Sequence, residues 1–191
     1  QKYWLKGYFY ESDVLQYLSK LNYDGYCAID VGAHMGNHSV YFAKRFGFEV
    51  IALEPLESSY NQLKINTGIN KLKKVRAYRF MISDKEGVGY IREFGTNSGM
   101  SREAESGEEV RKTTIDNLKD HRKVALLKID VEGSELKALE GGKKTIAADS
   151  PVVCVETDTP EKVLDFLRER NDNYKQLGVF GKTPTYIYSV R

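Results

Sequence analysis

Four apolar runs, each containing or followed by a carboxylate, constrain the fold of this chain more than any other feature of its sequence. They are YCAIDV at 26–31, FEVIALE at 48–54, VALLKIDV at 124–131 and PVVCVET at 151–157. Strands that are apolar on both faces lie inside a sheet that helices cover on both sides. Because helix-like segments separate the runs, the pattern predicts a doubly wound, mostly parallel α/β sheet between two helical layers.

Further segments complete the predicted sheet and its helices. VRAYRFMIS at 75–83 predicts another strand, and YKQLGV and PTYIYSVR near the end predict an antiparallel pair. Apolar residues at helical spacing predict helices over 37–45, 55–68, 134–147 and 160–170. Asn37 is the expected N-cap of the first helix, and Pro55 the expected first residue of the second.

Charge and composition exclude several classes of partner. The formal net charge is +2 over 191 residues, which is too small to predict binding to nucleic acid or to an anionic membrane. No window approaches the roughly 18 consecutive apolar residues of a membrane span. Cys27 and Cys154 lie in strand-like runs without a C-x-x-C neighbour, so we expect buried free thiols, a reducing compartment and a cytoplasmic location.

Carboxylates stand at the ends of the predicted parallel strands. They are Asp30, Glu54, Asp84, Asp130 with Glu132, and Glu156 with Asp158. In a doubly wound sheet the ligand binds beyond the carboxyl ends of the strands, where the strand order reverses. The crevice is therefore expected to be electronegative. Such a crevice suits a cation or a ligand rich in hydroxyl and amino donors, and it suits a pyrophosphate poorly.

The turn after the first strand, DVGAHMGN, holds Gly32 and Gly36 but has His34 where a dinucleotide-binding turn places its middle glycine. Glu54 follows about 20 residues later, where an acid accepts hydrogen bonds from both ribose hydroxyls of an adenosine. Asp84 is placed to meet an adenine amino group. An adenosine with a cationic group and no phosphate describes S-adenosylmethionine, although the turn alone is equally typical of a purely structural tight turn.

The residues expected to bind S-adenosylmethionine lie in the first turn and at the ends of the following strands. They are Asp30, Gly32, Ala33, His34, Gly36, Asn37, Glu54, Pro55, Ser83, Asp84 and Asp130.

Six motifs in the same order resemble the FkbM-type S-adenosylmethionine-dependent methyltransferases: IDVGAHMGNHSVYFA, VIALEP, ISDKEG, TTIDNL, LLKIDVEGSELKALEG and PVVCVE. The resemblance implies a Rossmann-like class I methyltransferase fold, whose last strand inserts antiparallel between the fifth and sixth. It also implies methyl transfer, usually to an oxygen of a sugar, glycan or natural product. We expect one domain, 1–191, with a lid or helix at 1–25, a core at 26–191 and a hairpin insertion at 87–115.

A hydroxyl acceptor needs a base, and the acids after the fourth strand are the first candidates. In an extended segment Asp130 and Glu132 point the same way, and Glu132 is the preferred base; Glu156 is a further catalytic candidate. Lys128 either neutralises these acids or extends along the sheet edge to solvent. Asp130, Glu132 and Glu156 could instead hold Mg²⁺ or Ca²⁺, but their spacing is not diagnostic, and no metal is predicted.

Other residues are candidates for binding the methyl acceptor. They are His38, Lys128, and Asn97 and Ser98 in a loop at 97–101 that we interpret either as a lid or as a surface loop. His34 and His38 lack a zinc-binding motif. The aromatic residues Tyr3, Trp4 and Tyr8 could contact a sugar, pack as a lid or form a dimer contact.

Three hypotheses remain open. The first is an S-adenosylmethionine-dependent O-methyltransferase with a small-molecule or glycan acceptor. The second is an NAD-dependent oxidoreductase, which the missing middle glycine and the acidic crevice disfavour. The third is a non-catalytic domain that binds S-adenosylmethionine. The sequence leaves the acceptor and the oligomeric state undetermined.

Overall fold

The protein is built on a seven-stranded sheet, seen in a computed structural model that describes residues 9–93, 101–120 and 122–191. Its elements in chain order are α1 (Ser12–Leu18), β1 (Cys27–Val31), α2 (Asn37–Tyr41), β2 (Glu49–Leu53), α3 (Glu57–Ile69), β3 (Val75–Tyr78), β4 (Met81–Ile82), β5 (Gly87–Glu93), β6 (Ser101–Ala104), β7 (Glu108–Thr113), α4 (Ile115–Leu118), β8 (Val124–Ile129), α5 (Glu135–Gly141), α6 (Lys143–Asp149), β9 (Val152–Glu156), α7 (Pro160–Arg168), β10 (Lys175–Phe180) and β11 (Thr185–Ser189). A π-helical turn over 42–46 continues α2.

The strand order of the large sheet is β10-β11-β9-β8-β1-β2-β3. Strands β1, β2, β3, β8 and β9 pair in parallel, whereas β11 pairs antiparallel with both β9 and β10. The last strand therefore lies between its two predecessors, and the predicted fold class is confirmed. The order reverses at β1, with β2 on one side and β8 on the other, so the crevice lies beyond the ends of β1 and β8.

Alternation along the buried strands divides the core into two halves. Ile29 and Ile51 pack on one face with residues of α4 to α7, and Ala28 and Val50 pack on the other with residues of α1 and α3. Because successive side chains point to opposite faces of a strand, a strand that is apolar throughout serves both halves. The result is the three-layer α/β/α arrangement that the sequence predicted.

The strand predicted at 75–83 is two strands in two sheets, so that prediction was wrong in detail. Strand β3 ends at Tyr78, and β4 belongs to a second sheet with the order β4-β7-β5-β6. The chain changes sheet at Arg79, whose guanidinium pairs with Glu108 on β7. After β4, the backbone N–H of Ser83 donates to the carbonyl of Thr113 at 3.0 Å. Strand β4 therefore pairs with β7 and not with a strand of the large sheet.

Helix boundaries also differ from the sequence-based prediction. The helix expected over 134–147 is interrupted at Gly142, which separates α5 from α6. Helix α3 begins at Glu57 rather than at Pro55. Asn37 is not an N-cap, since Gly36 holds that position and no side chain caps the helix. Within the described residues, no helix has the length and apolar character needed to span a bilayer.

A close contact between α5 and the second sheet gives a test of this architecture. A Cβ atom on Gly141 would lie 2.1 Å from the carbonyl oxygen of Ser83, whereas one on Gly68, in α3, would meet no atom within 4 Å. We expect Gly141→Ala to lower the free energy of unfolding by about 1–3 kcal/mol through overpacking. Gly68→Ala is the matched control and should raise it by roughly 0.5–1 kcal/mol. Urea unfolding measures both, and equal effects would contradict the packing described.

Candidate active site

The turn between β1 and α2 brings the ends of the central strands together. Gly32 has φ 74° and Gly36 φ 87°, in the region that glycine tolerates best. A Cβ atom on Gly32 would lie 1.8 Å from the carbonyl oxygen of Asp130, and one on Gly36 would lie 2.5 Å from Cδ1 of Leu63. Gly32 therefore lets the turn approach the end of β8, and Gly36 lets α2 pack against α3.

Glu54 joins this turn to the end of β2. Its Oε2 accepts the backbone N–H of His34 at 2.8 Å, and its Oε1 accepts that of Leu56 at 2.9 Å. Burial raises the pKa of Glu54 to about 7 even though both N–H donors act to lower it. Each carboxylate oxygen has two lone pairs, so each can accept one more hydrogen bond. His34 has a left-handed backbone, φ 48°, which turns its N–H towards Glu54.

Lys128 is buried at the centre of the site. Its Nζ lies 3.1 Å from the carbonyl oxygen of Gly32, 3.3 Å from Oδ2 of Asp130 and 3.5 Å from Oδ1 of Asp30. Asp30 is fully buried, and its Oδ2 accepts the hydroxyl hydrogen of Ser39 at 2.6 Å. Burial alone would lower the pKa of Lys128, but the charges of Asp130 and Asp30 outweigh it and raise that pKa. Lys128 therefore neutralises the acids, as one of the two sequence interpretations held.

Three carboxylates converge beside Lys128. One oxygen from each of Asp130, Glu132 and Glu156 lies within 4.8 Å of the other two. Burial, together with the charges of Asp130 and Glu11, raises the pKa of Glu156 to about 7. Burial and the charge of Asp130 likewise raise the pKa of Glu132. Like charges at close range stabilise the protonated form, so the cluster holds groups suited to accepting a proton near neutral pH.

The segment that carries Glu132 is not extended, which corrects the geometric argument made from the sequence. Glu132 has φ 50°, and Gly133, φ 97°, follows it in a turn. The N–H of Gly133 donates to Oε1 of Glu135 at 2.6 Å, so Glu135 holds this turn. Glu132 reaches Asp130 through the turn rather than through strand alternation. The three-carboxylate cluster is the ligand type that Mg²⁺ and Ca²⁺ take, and the sequence-based expectation of no metal stays a prediction.

A small pocket adjoins Lys128 and two residues of the carboxylate cluster. Its lining includes Glu11, His38, Lys128, Asp130, Glu156 and Thr185. His38 is buried, and its Nε2 lies 3.3 Å from Oε2 of Glu11. Sequence reasoning identified neither Glu11 nor Thr185. The first lies before α1 and the second starts β11, and no spacing pattern links either to the crevice.

The remaining predicted residues lie at different places. Asp84 is exposed after β4 and accepts the hydroxyl hydrogen of Ser83 at 2.9 Å. Asn37 binds the backbone of Tyr10. Ala33 is buried beside the end of β2, and Pro55 accepts a hydrogen bond from Arg79 through its carbonyl. The predictions on Tyr3, Trp4, Tyr8, Asn97 and Ser98 fall outside the described residues.

Comparison with known proteins identifies the domain that carries this site. The family model of the methyltransferase FkbM domain matches residues 30–174, which include the glycine turn, Glu54, Lys128 and the three-carboxylate cluster. The chain belongs to the FkbM methyltransferase family. No curated protein matches the sequence.

Solved structures share the fold of this FkbM domain. The methyltransferase FkbM from Methylobacillus flagellatus is 18% identical with a TM-score of 0.69, and the match covers 89% of this chain but 45% of that one. The chain thus spans less than half the length of that relative. A precorrin-6y C5,15-methyltransferase from Geobacter metallireducens is 15% identical, with a TM-score of 0.57 and coverages of 92% and 85%. M. jannaschii TYW2 in complex with AdoMet is 14% identical, with a TM-score of 0.52 and coverages of 93% and 73%.

The buried ion cluster of the FkbM domain can be tested by a double-mutant cycle. Lys128→Met leaves Asp30 buried without its cation, so we expect the free energy of unfolding to fall by about 3–5 kcal/mol. Asp30→Asn in the same chain removes the uncompensated charge and should recover part of that loss. Urea unfolding of both single variants and the double variant gives the coupling energy, and strictly additive effects would contradict the interaction.

Proposed function

We propose that this chain is an S-adenosylmethionine-dependent methyltransferase that methylates a hydroxyl oxygen of a sugar, a glycan or a small hydroxylated molecule. The observation that carries the proposal is the position of Glu54 at the end of β2, where it accepts a hydrogen bond from the glycine turn and lies on the same side of the sheet as a cluster of three carboxylates. Membership of the FkbM family and the AdoMet bound to M. jannaschii TYW2, a protein of the same fold, support it. The buried free thiols Cys27 and Cys154 support a cytoplasmic location.

The residues of the turn fit an adenosine that carries no phosphate. Glu54 retains one acceptor position on each oxygen, which suits the two ribose hydroxyls. The N–H of His34 already donates to Glu54, so it does not offer the donor that a pyrophosphate requires. The end of the crevice is formed by the ion pairs of Lys128 with Asp30 and Asp130. S-adenosylmethionine, when bound, supplies a methyl group on a positively charged sulfur.

The three-carboxylate cluster supplies the base. Asp130 is held by Lys128, whereas Glu132 and Glu156 have raised pKa values and stand beside it. A carboxylate that accepts the hydroxyl proton makes the acceptor oxygen nucleophilic, and the side chains around the cluster hold that oxygen in position for attack. Of the three candidates, Glu132 remains the preferred base, and the negative charge of Asp130 beside it helps to raise its pKa.

Calorimetry tests the cofactor assignment. We expect S-adenosylmethionine and its demethylated product to bind the wild-type protein, because both offer ribose hydroxyls to Glu54. NAD should not bind, because the N–H of His34 already donates to Glu54 and is not available to its pyrophosphate. Glu54→Ala should weaken binding of the demethylated product by at least about tenfold through loss of two charge-assisted hydrogen bonds. Tight binding of NAD would contradict the assignment in favour of an oxidoreductase.

Turnover tests the catalytic assignment. With a radiolabelled methyl donor and a panel of glycans, we expect Glu132→Gln to lower kcat by about 100-fold or more, because general bases contribute at least that much. Affinity for the cofactor should stay within about twofold, which distinguishes loss of the base from loss of the binding site. Wild-type turnover in a chain that carries both Asp130→Asn and Glu132→Gln would refute the role of the cluster. Cofactor binding without turnover on any glycan would favour a non-catalytic domain.

A further inference from the structure

Glu11 enters the pocket from the segment that precedes α1. It occupies the position before the first residue of that helix with φ 52° and ψ 45°, a left-handed conformation that is unfavourable for a residue with a side chain. Its side chain is only 11% exposed, and it lines the pocket together with His38, Asp130 and Glu156. A carboxylate is seldom buried to this extent unless it has partners. The groups around the carboxylate of Glu11 are therefore expected to include its partners.

The segment around Glu11 is fixed to the start of α2 by several contacts. The side chain of Asn37 accepts the backbone N–H of Tyr10 at 3.0 Å and donates to its carbonyl at 3.1 Å. The rings of Phe9 and Tyr41 meet edge to face with centroids 5.0 Å apart. These contacts hold residues 9–11 against the helix that begins at the glycine turn. These contacts therefore fix the backbone position from which the side chain of Glu11 extends.

The carboxylate of Glu11 has unused capacity to accept hydrogen bonds. In the described part of the chain its one direct polar contact is with Nε2 of His38, 3.3 Å from Oε2. An ionised carboxylate has about four acceptor positions, so the described residues leave most of those of Glu11 open. The contacts of Lys128 go to Asp30, Asp130 and Gly32 instead. Because Glu11 lines the pocket, a ligand there with hydroxyl hydrogens would supply donors to these open positions.

We propose that Glu11 binds the methyl acceptor by accepting hydrogen bonds from its hydroxyl groups, and that His38 positions Glu11 for this contact. The proposal rests on the function proposed above and narrows it to an acceptor with hydroxyls beyond the methylated one, as a carbohydrate has. Glu11 and Asp130 line the same pocket, so an acceptor held by Glu11 lies beside the three-carboxylate cluster. Glu11 lies outside residues 30–174, so this contact comes from the flank of the family domain.

Binding of simple methyl glycosides in the presence of the demethylated cofactor product tests the proposal. The probes are the methyl α-glycosides of glucose, mannose and galactose, measured by ligand-observed NMR. We expect Glu11→Gln to weaken binding of the best probe by about tenfold, because a charge-assisted hydrogen bond becomes a neutral one. Asp13→Asn is the matched control, since it removes an exposed acid of α1, and it should bind as the wild type does.

A second variant tests the role of His38. If His38 acts through Glu11, His38→Asn weakens binding of the glycoside, but the double variant binds no more weakly than Glu11→Gln alone. Additive losses would overturn the positioning role. Affinity for S-adenosylmethionine should be unchanged in all three variants, because the glycine turn and Glu54 are intact.

The outcomes separate this inference from the proposed function. Failure of the wild type to bind S-adenosylmethionine would refute the function itself. Binding of S-adenosylmethionine without binding of any glycoside, or with equal glycoside binding by the wild type and Glu11→Gln, would overturn only the role of Glu11. If Glu11→Gln lowers the melting temperature, glycoside binding is measured well below the unfolding transition, so that loss of folded protein is not counted as loss of affinity.

Discussion

The buried cation of Lys128 is the interaction on which the rest of the site depends. Strands β1 and β8 are the central pair of the sheet, and each ends in an acid, Asp30 and Asp130. Two carboxylates so close together would repel one another in a buried setting, and the ammonium group between them turns that repulsion into attraction. The same group donates a hydrogen bond to the carbonyl of Gly32, so it also fixes the turn. The glycine turn and the carboxylate cluster therefore share one electrostatic centre.

The general architecture could be predicted because it follows from local patterns. A run such as VIAL in β2 is apolar at every position, and it can be buried on both faces only inside a sheet covered by helices. The carboxyl ends of parallel strands meet at one edge, so Asp30, Glu54, Asp130 and Glu156 could be placed near one another without knowledge of the strand register. The closing antiparallel pair was predicted from its two strand-like segments, whereas the insertion of the last strand between the fifth and sixth followed from the resemblance to a family.

What could not be predicted depends on tertiary contacts between distant segments. The chain leaves the large sheet at Arg79 because a pairing with β7 is available, and the pattern of 75–83 does not reveal that choice. Glu132 adopts a left-handed conformation in a turn held by Glu135. The prediction that KIDVEG is extended misses this turn. Asn37 has the residue type of an N-cap, yet it binds Tyr10 because the N-terminal segment lies against it. At Arg79 and Asn37 a partner far along the chain outweighs the local preference, whereas at Glu132 a local turn replaces the extended segment.

Residues 30–174, which match the family model, and the segments before and after them are under different structural constraints. The side of the site proposed to bind the cofactor is built from Gly32, Glu54 and Lys128. Their positions follow from strand ends and from a backbone approach so close that a Cβ atom on Gly32 would lie 1.8 Å from the carbonyl oxygen of Asp130. Such a site tolerates little variation. The pocket wall formed by Glu11 and Thr185 depends on segments before and after residues 30–174, which are free of that backbone constraint. Under the proposed function, a change in these flanks could therefore alter the acceptor while the glycine turn and the three carboxylates stay the same.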